Sequence, residues 1–168
     1  MNHRGEHPTP AAPGQGAGDQ ALWLVVGYDR HPAARCALAT AADLAVRLGA
    51  RLLVVHVVDL DDYPIDPDAD DWDAYAEQVV ARERAQVEAL LAGHPLPWSW
   101  QVDHGDPAQQ LVDLAARHQA LMIVVGAARH EWGTHLLTGS VAKHLVRHAG
   151  QPVLLVPEQP SGRRPAIE

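Results

Sequence analysis

Phenylalanine is absent from this chain of 168 residues, and aromatic residues of all kinds make up only 5%. A core cannot be built here around large rings. It has to come from the Val, Leu and Ala that dominate a sequence 47% hydrophobic, and small aliphatic residues suit strands buried between helices. Cysteine occurs once, at Cys36, which excludes a disulfide framework. Cations are scarce: Lys and Arg number 13 against 21 Asp and Glu, for a formal charge of −8. That balance argues against nucleic acid as a partner. No apolar run approaches the roughly 18 residues of a membrane-spanning helix. The polar start of the chain has no apolar h-region, so no signal peptide is expected. These absences point to a soluble cytoplasmic protein.

Length predicts one domain. Residues 1–20 carry three Pro and four Gly without periodicity and are expected to form a disordered arm. Residues 159–168 are expected to form a disordered tail, leaving 21–158 as the folded unit. Within it strand and helix patterns alternate. Residues 21–27 form a buried-type strand. Helical spacing of Ala34, Leu38, Ala41, Ala42, Ala45 and Leu48 follows Pro32 and ends at Gly49. Further strands are expected at 51–58, 98–102, 121–126 and 152–156, and further helices at 73–92, 107–118 and 140–149. Asp106-Pro107-Ala108-Gln109 is a helix start, with Asp as N-cap and Pro at the first helical position. The order βαβαβαβαβ predicts an α/β fold: an open five-stranded parallel sheet with helices on both faces. Ligands of such sheets sit at the carboxyl ends of the strands, where strand order switches. Gly27-Tyr28-Asp29, His56-Val57-Val58-Asp59 and the segment after Gly126 are expected to converge there.

One stretch carries the chemistry. The strand Leu121 to Gly126 ends on glycine, and Gly139-Ser140 then opens a helix. Strand, glycine loop and helix N-terminus together suit a phosphate, because free backbone N–H groups and the helix dipole both point at an anion. The Walker phosphate loop is not present. The glycines Gly14, Gly16 and Gly18 lack the strand and helix that a dinucleotide fingerprint requires.

The spacing does resemble that of the universal stress protein family, whose hallmark is Gly, two residues, Gly, nine residues, Gly-Ser/Thr. Here the register is Gly126, two residues, Arg129, nine residues, Gly139-Ser140, a variant Gly-x-x-Arg loop. Asp29 after the first strand, His56-Val57-Val58-Asp59 and the closing His148-Ala149-Gly150-Gln151-Pro152-Val153-Leu154-Leu155-Val156-Pro157 also match. The resemblance implies a Rossmann-like sheet and a homodimer formed through the Val153–Val156 strand. It implies ATP or another adenine nucleotide as ligand, with Mg²⁺ accompanying ATP, and a role in stress response or signalling. Adenine would lie near Gly27, Tyr28, Asp29, Val57 and Val125. Ribose and phosphates would lie along Gly126, Arg129, Gly139, Ser140 and Val141. A branch of the family without the glycines does not retain ATP, so a nucleotide-free dimeric interaction module is the alternative, and a slow ATPase a third.

Individual residues keep two readings. Arg129 offers a guanidinium to phosphate, or is an exposed arginine that removed the site. Asp29 bonds adenine or ribose, or caps the helix that begins near His31. Ser140 is a phosphate ligand or an ordinary first-turn serine. His144 and His148 share a helix face, with His130 and His135 upstream, but there is no clear third ligand. No metal site is expected. Asp66, Asp68, Asp70 and Glu77 imitate calcium-loop spacing without its glycine, and a solvated acidic loop over 59–73 is the better reading. No catalytic constellation stands out; Cys36 reads as a packing residue. Weak ATP hydrolysis is the most that enzyme activity would amount to.

Overall fold

A computed structural model describes residues 21–58, 72–127 and 140–159. Nine elements alternate along the chain: β1 (Trp23–Gly27), α1 (Pro32–Leu48), β2 (Arg51–Val58), α2 (Trp72–Leu91), β3 (Trp98–His104), α3 (Pro107–Arg117), β4 (Met122–Ala127), α4 (Ser140–His148) and β5 (Val153–Pro157). The strands form one parallel sheet in the order β3-β2-β1-β4-β5. Strand order reverses between β1 and β4. The chain leaves those two neighbours in opposite directions, so a crevice opens at their carboxyl ends.

Alternation along the central strands divides the core into two layers, because successive side chains point to opposite faces. Leu24, Val26, Leu52, Val54 and Val124 face α1 and α2, where Ala37, Leu38, Ala41, Ala42 and Val87 meet them. Val25, Leu53, Val55, Ile123 and Val125 face α3 and α4, against Leu111, Leu114, Ala115 and Leu145. The sheet-facing side of α1 is almost all alanine, so the helix lies close to the strands.

Local chemistry accounts for the element ends. Asp106 accepts a hydrogen bond from the Gln109 N–H at 2.7 Å, with Pro107 opening α3, as a cap should. Gly49 closes α1 in the left-handed region at φ 63°. The end of α3 carries no such signal: Gln119 takes φ 50° there, and the Ala120 N–H returns to the Ala115 carbonyl. β3 runs two residues beyond the expected boundary, to His104. It is an edge strand paired only with β2 up to Val58–His104, so Asp103 and His104 tolerate strand geometry without being buried.

Candidate functional site

The crevice at the strand ends is a cleft of about 480 Å³. Its floor is made where the strands stop: Gly27 and Tyr28 after β1, Val55 and Val57 on β2, and Val125, Gly126 and Ala127 on β4. Its walls are the N-terminal ends of three helices. α1 contributes His31, Ala33 and Ala34; α3 contributes Asp106, Pro107, Ala108 and Leu111; α4 contributes Ser140, Val141, Ala142 and His144. Parallel topology causes this convergence, because every helix starts at the sheet edge where the preceding strand ends.

Eight of the ten residues singled out in the sequence line this cleft together: Gly27, Tyr28, Asp29, Val57, Val125, Gly126, Ser140 and Val141. Arg129 and Gly139 lie outside the described residues, as do His130, His135 and most of the acidic segment. His31, Asp106 and His144 line the cleft as well, and sequence reasoning had not placed them there. The signal for Asp106 was available: a cap that follows β3 must sit at the same sheet edge as the other strand ends.

The helix-start reading of Asp29 holds in part. Its carboxylate accepts the His31 N–H at 2.8 Å. His31 itself occupies the N-cap position of α1 and makes no side-chain cap bond. Asp29 thus braces the start of α1 from two residues upstream while remaining exposed at the cleft.

Gly126 has a packing role that its spacing did not reveal. A Cβ built there would fall 2.5 Å from the Ala33 carbonyl carbon and 2.7 Å from both the Ala33 oxygen and the Ala34 nitrogen. The backbone of α1 crosses directly over β4 at this point, and only glycine leaves room.

Behind the cleft Tyr28 joins the sheet to α2. Its N–H donates to the Val55 carbonyl at 2.8 Å, and its hydroxyl donates to Gln86 at 3.4 Å. His56 Nδ1 lies 3.2 Å from the Tyr28 carbonyl. A carbonyl can only accept, so Nδ1 carries the proton. The ring stacks on Trp100 at 5.9 Å. The remaining nitrogen, Nε2, and Glu83 Oε2 on α2 are buried with no partner among the described residues. Burial pushes the Tyr28 phenol above its usual range. The Glu83 charge adds to this and Arg35 opposes it.

His148 Nδ1 lies 3.0 Å from the His144 carbonyl, and the two rings sit 4.2 Å apart. Among the described residues no group of three or more His, Cys, Asp or Glu side chains is arranged to hold a metal. Cys36 is half-buried against the core. No helix among the described residues is long and apolar enough to cross a membrane.

A five-stranded parallel sheet with helices on both faces and a cleft at its switch point defines a Rossmann-like α/β protein. The chain belongs to the universal stress protein family, whose family model matches residues 24–157. A universal stress protein of Mycolicibacterium smegmatis is 32% identical over 154 residues, covering 84% of this chain and 48% of its own length. The chain therefore spans about half of that relative. Among solved structures, a universal stress protein of Burkholderia pseudomallei is 32% identical with a TM-score of 0.63, covering 83% of this chain and 98% of its own. Two more distant ones share the fold and were solved with nucleotides. A universal stress protein in complex with cAMP is 20% identical (TM-score 0.58, 83% and 98% covered). One from Archaeoglobus fulgidus in complex with dAMP is 20% identical (TM-score 0.57, 81% and 97% covered).

Proposed function

We propose that this chain binds an adenine nucleotide in the cleft and acts in stress response or signalling through the state of that site. The observation that carries this reading is the convergence of Gly27–Asp29, Val57, Val125–Gly126 and Ser140–Val141 on one cleft at the switch point. Val55, Val57, Val125 and Leu111 supply apolar walls for a flat base. Asp29 offers an acceptor to a base amine or ribose hydroxyl, and the start of α4 offers N–H groups to phosphate. The complexes of related proteins with cAMP and dAMP support the ligand class.

Energetics assign most of the affinity to the base. A helix N-terminus contributes about 0.3–1 kcal/mol per anionic group, up to ~2 when partly buried, whereas micromolar binding needs about 8 kcal/mol. The test is to denature purified protein and measure released adenine absorbance, then to titrate ATP, AMP and cyclic nucleotides by calorimetry. Binding at micromolar to low millimolar ligand is expected. No heat at millimolar concentrations overturns the proposal. Phosphate release above the buffer rate that disappears in Ser140→Ala would add slow ATP hydrolysis to it.

One observation favours a second reading, a homodimer working as an interaction module in the cytoplasm. β5 is an edge strand whose Val153, Leu154 and Leu155 stay only half-buried in the single chain, and an unpaired edge is a ready surface for a second copy. Sedimentation at micromolar concentration should show a dimer; a monomer would overturn it.

A further inference from the structure

We infer that His144 is a phosphate-contacting side chain of the cleft, its ring N–H donating to an oxygen of the bound nucleotide. The inference rests on the nucleotide reading above and deepens it, because it fixes which wall the anionic end of the ligand meets. Three helix N-termini reach the cleft, and two of them already hold a carboxylate. Asp29 takes the His31 N–H at the start of α1, and Asp106 takes the Gln109 N–H at the start of α3. A phosphate placed at either would face a like charge. The first turn of α4 has no acidic residue.

The described lining also contains no Lys or Arg. Its only groups that can become cationic are His31, which adjoins Asp29, and His144. The latter stands one helical turn beyond Ser140, on the same face, and both line the cleft. The His144 ring packs against that of His148, one turn from Ser140 and Val141, whose N–H groups stand at the start of the helix and which line the same cleft. An anion held there meets backbone donors and a side-chain cation together, a combination stronger than neutral donors alone.

Charge on the ring makes the contact pH-dependent, since an imidazole gains its proton between about pH 5 and 8. Other titratable or charged groups around it are Tyr28, Asp29 and His31 on the β1–α1 side and Asp106 on α3. On α4 itself they are Lys143, Arg147 and His148, whose ring packs 4.2 Å from that of His144. β5 supplies none. The preceding segment holds Arg129, His130, Glu131 and His135 in sequence. Carboxylates, phenols, ammonium and guanidinium groups ordinarily titrate outside this window, so histidines are the groups to separate.

The experiment is calorimetric titration of the full chain with cAMP and with adenosine at pH 5.5, 6.5 and 8. The phosphodiester of cAMP keeps one negative charge throughout, unlike a monoester that titrates near pH 6. Adenosine has no phosphate. We expect cAMP affinity to fall on the order of tenfold from pH 5.5 to 8, while adenosine affinity stays flat. His144→Gln should flatten the cAMP curve and leave adenosine unchanged; His31→Gln should keep the slope. A slope that survives in His144→Gln, or one that His31→Gln removes, overturns the assignment. A flat wild-type cAMP curve with both ligands bound also overturns it, while the nucleotide reading stands. Failure of both ligands to bind at any pH overturns the two together.

Discussion

Substituting Gly126 by alanine tests a packing requirement at the floor of the cleft. The added Cβ would lie 2.5 Å from the Ala33 carbonyl carbon, about 0.9 Å inside the 3.4 Å at which ordinary contact begins. The obstructing atoms are backbone atoms of α1, so relief requires moving the start of that helix off β4 rather than rotating a side chain. Overpacking of this kind costs about 1–3 kcal/mol, occasionally more, out of the roughly 5–15 kcal/mol that hold a domain together. At ~2–4 °C per kcal/mol for a domain of this size, the thermal midpoint should drop by about 2–12 °C. Chemical and thermal unfolding measure this directly. Gly150→Ala is the control, because nothing lies within 4 Å of a Cβ there. If Gly126→Ala unfolds within about 0.5 kcal/mol of the parent, the range of ordinary surface substitutions, the crossing of α1 over β4 is not what holds this glycine. Because Ala33 and Ala34 also line the cleft, the same displacement should weaken nucleotide binding without removing any ligand-binding side chain.

Further outcomes follow from the same geometry. Asp106→Ala should lose about 1 kcal/mol of stability with the 2.7 Å cap bond, seen as a lower urea midpoint; an unchanged midpoint would mean water replaces the cap. Gln119→Gly should gain roughly 0.5–1 kcal/mol by relieving the left-handed φ of 50°, and a loss of stability would refute the strain. Burial and Glu83 raise the Tyr28 phenol in the folded protein. Its contribution is therefore complete below the ordinary tyrosine value near pH 10 and fades as pH rises through the folded value. Tyr28→Phe should flatten the alkaline loss of stability, and an identical alkaline profile in the two proteins would rule this out.

Much of the architecture was legible because each element carries its own local cause. Asp106-Pro107 caps α3, Gly49 ends α1, and the valine-rich runs become central strands with helices on either side. The outer residues of the candidate site were legible too, since strand ends in a parallel sheet must share one edge. Boundaries failed where local preference was overridden. Polar Asp103 and His104 extend β3 because an edge strand needs only one paired side, and Gln119 adopts a glycine-like turn without being glycine.

By itself, then, the sequence determined the alternation of strands and helices, the parallel sheet and the family spacing from Gly126 to Ser140, all of which depend on periodicity and local chemistry. Tertiary structure alone decided what those residues meet. Gly126 is glycine because α1 crosses it, Asp29 accepts the His31 N–H with one oxygen, and Asp106, His31 and His144 share a cleft although up to 113 positions separate them. Such meetings are set by strand order and helix crossing, and no local pattern along the chain records them.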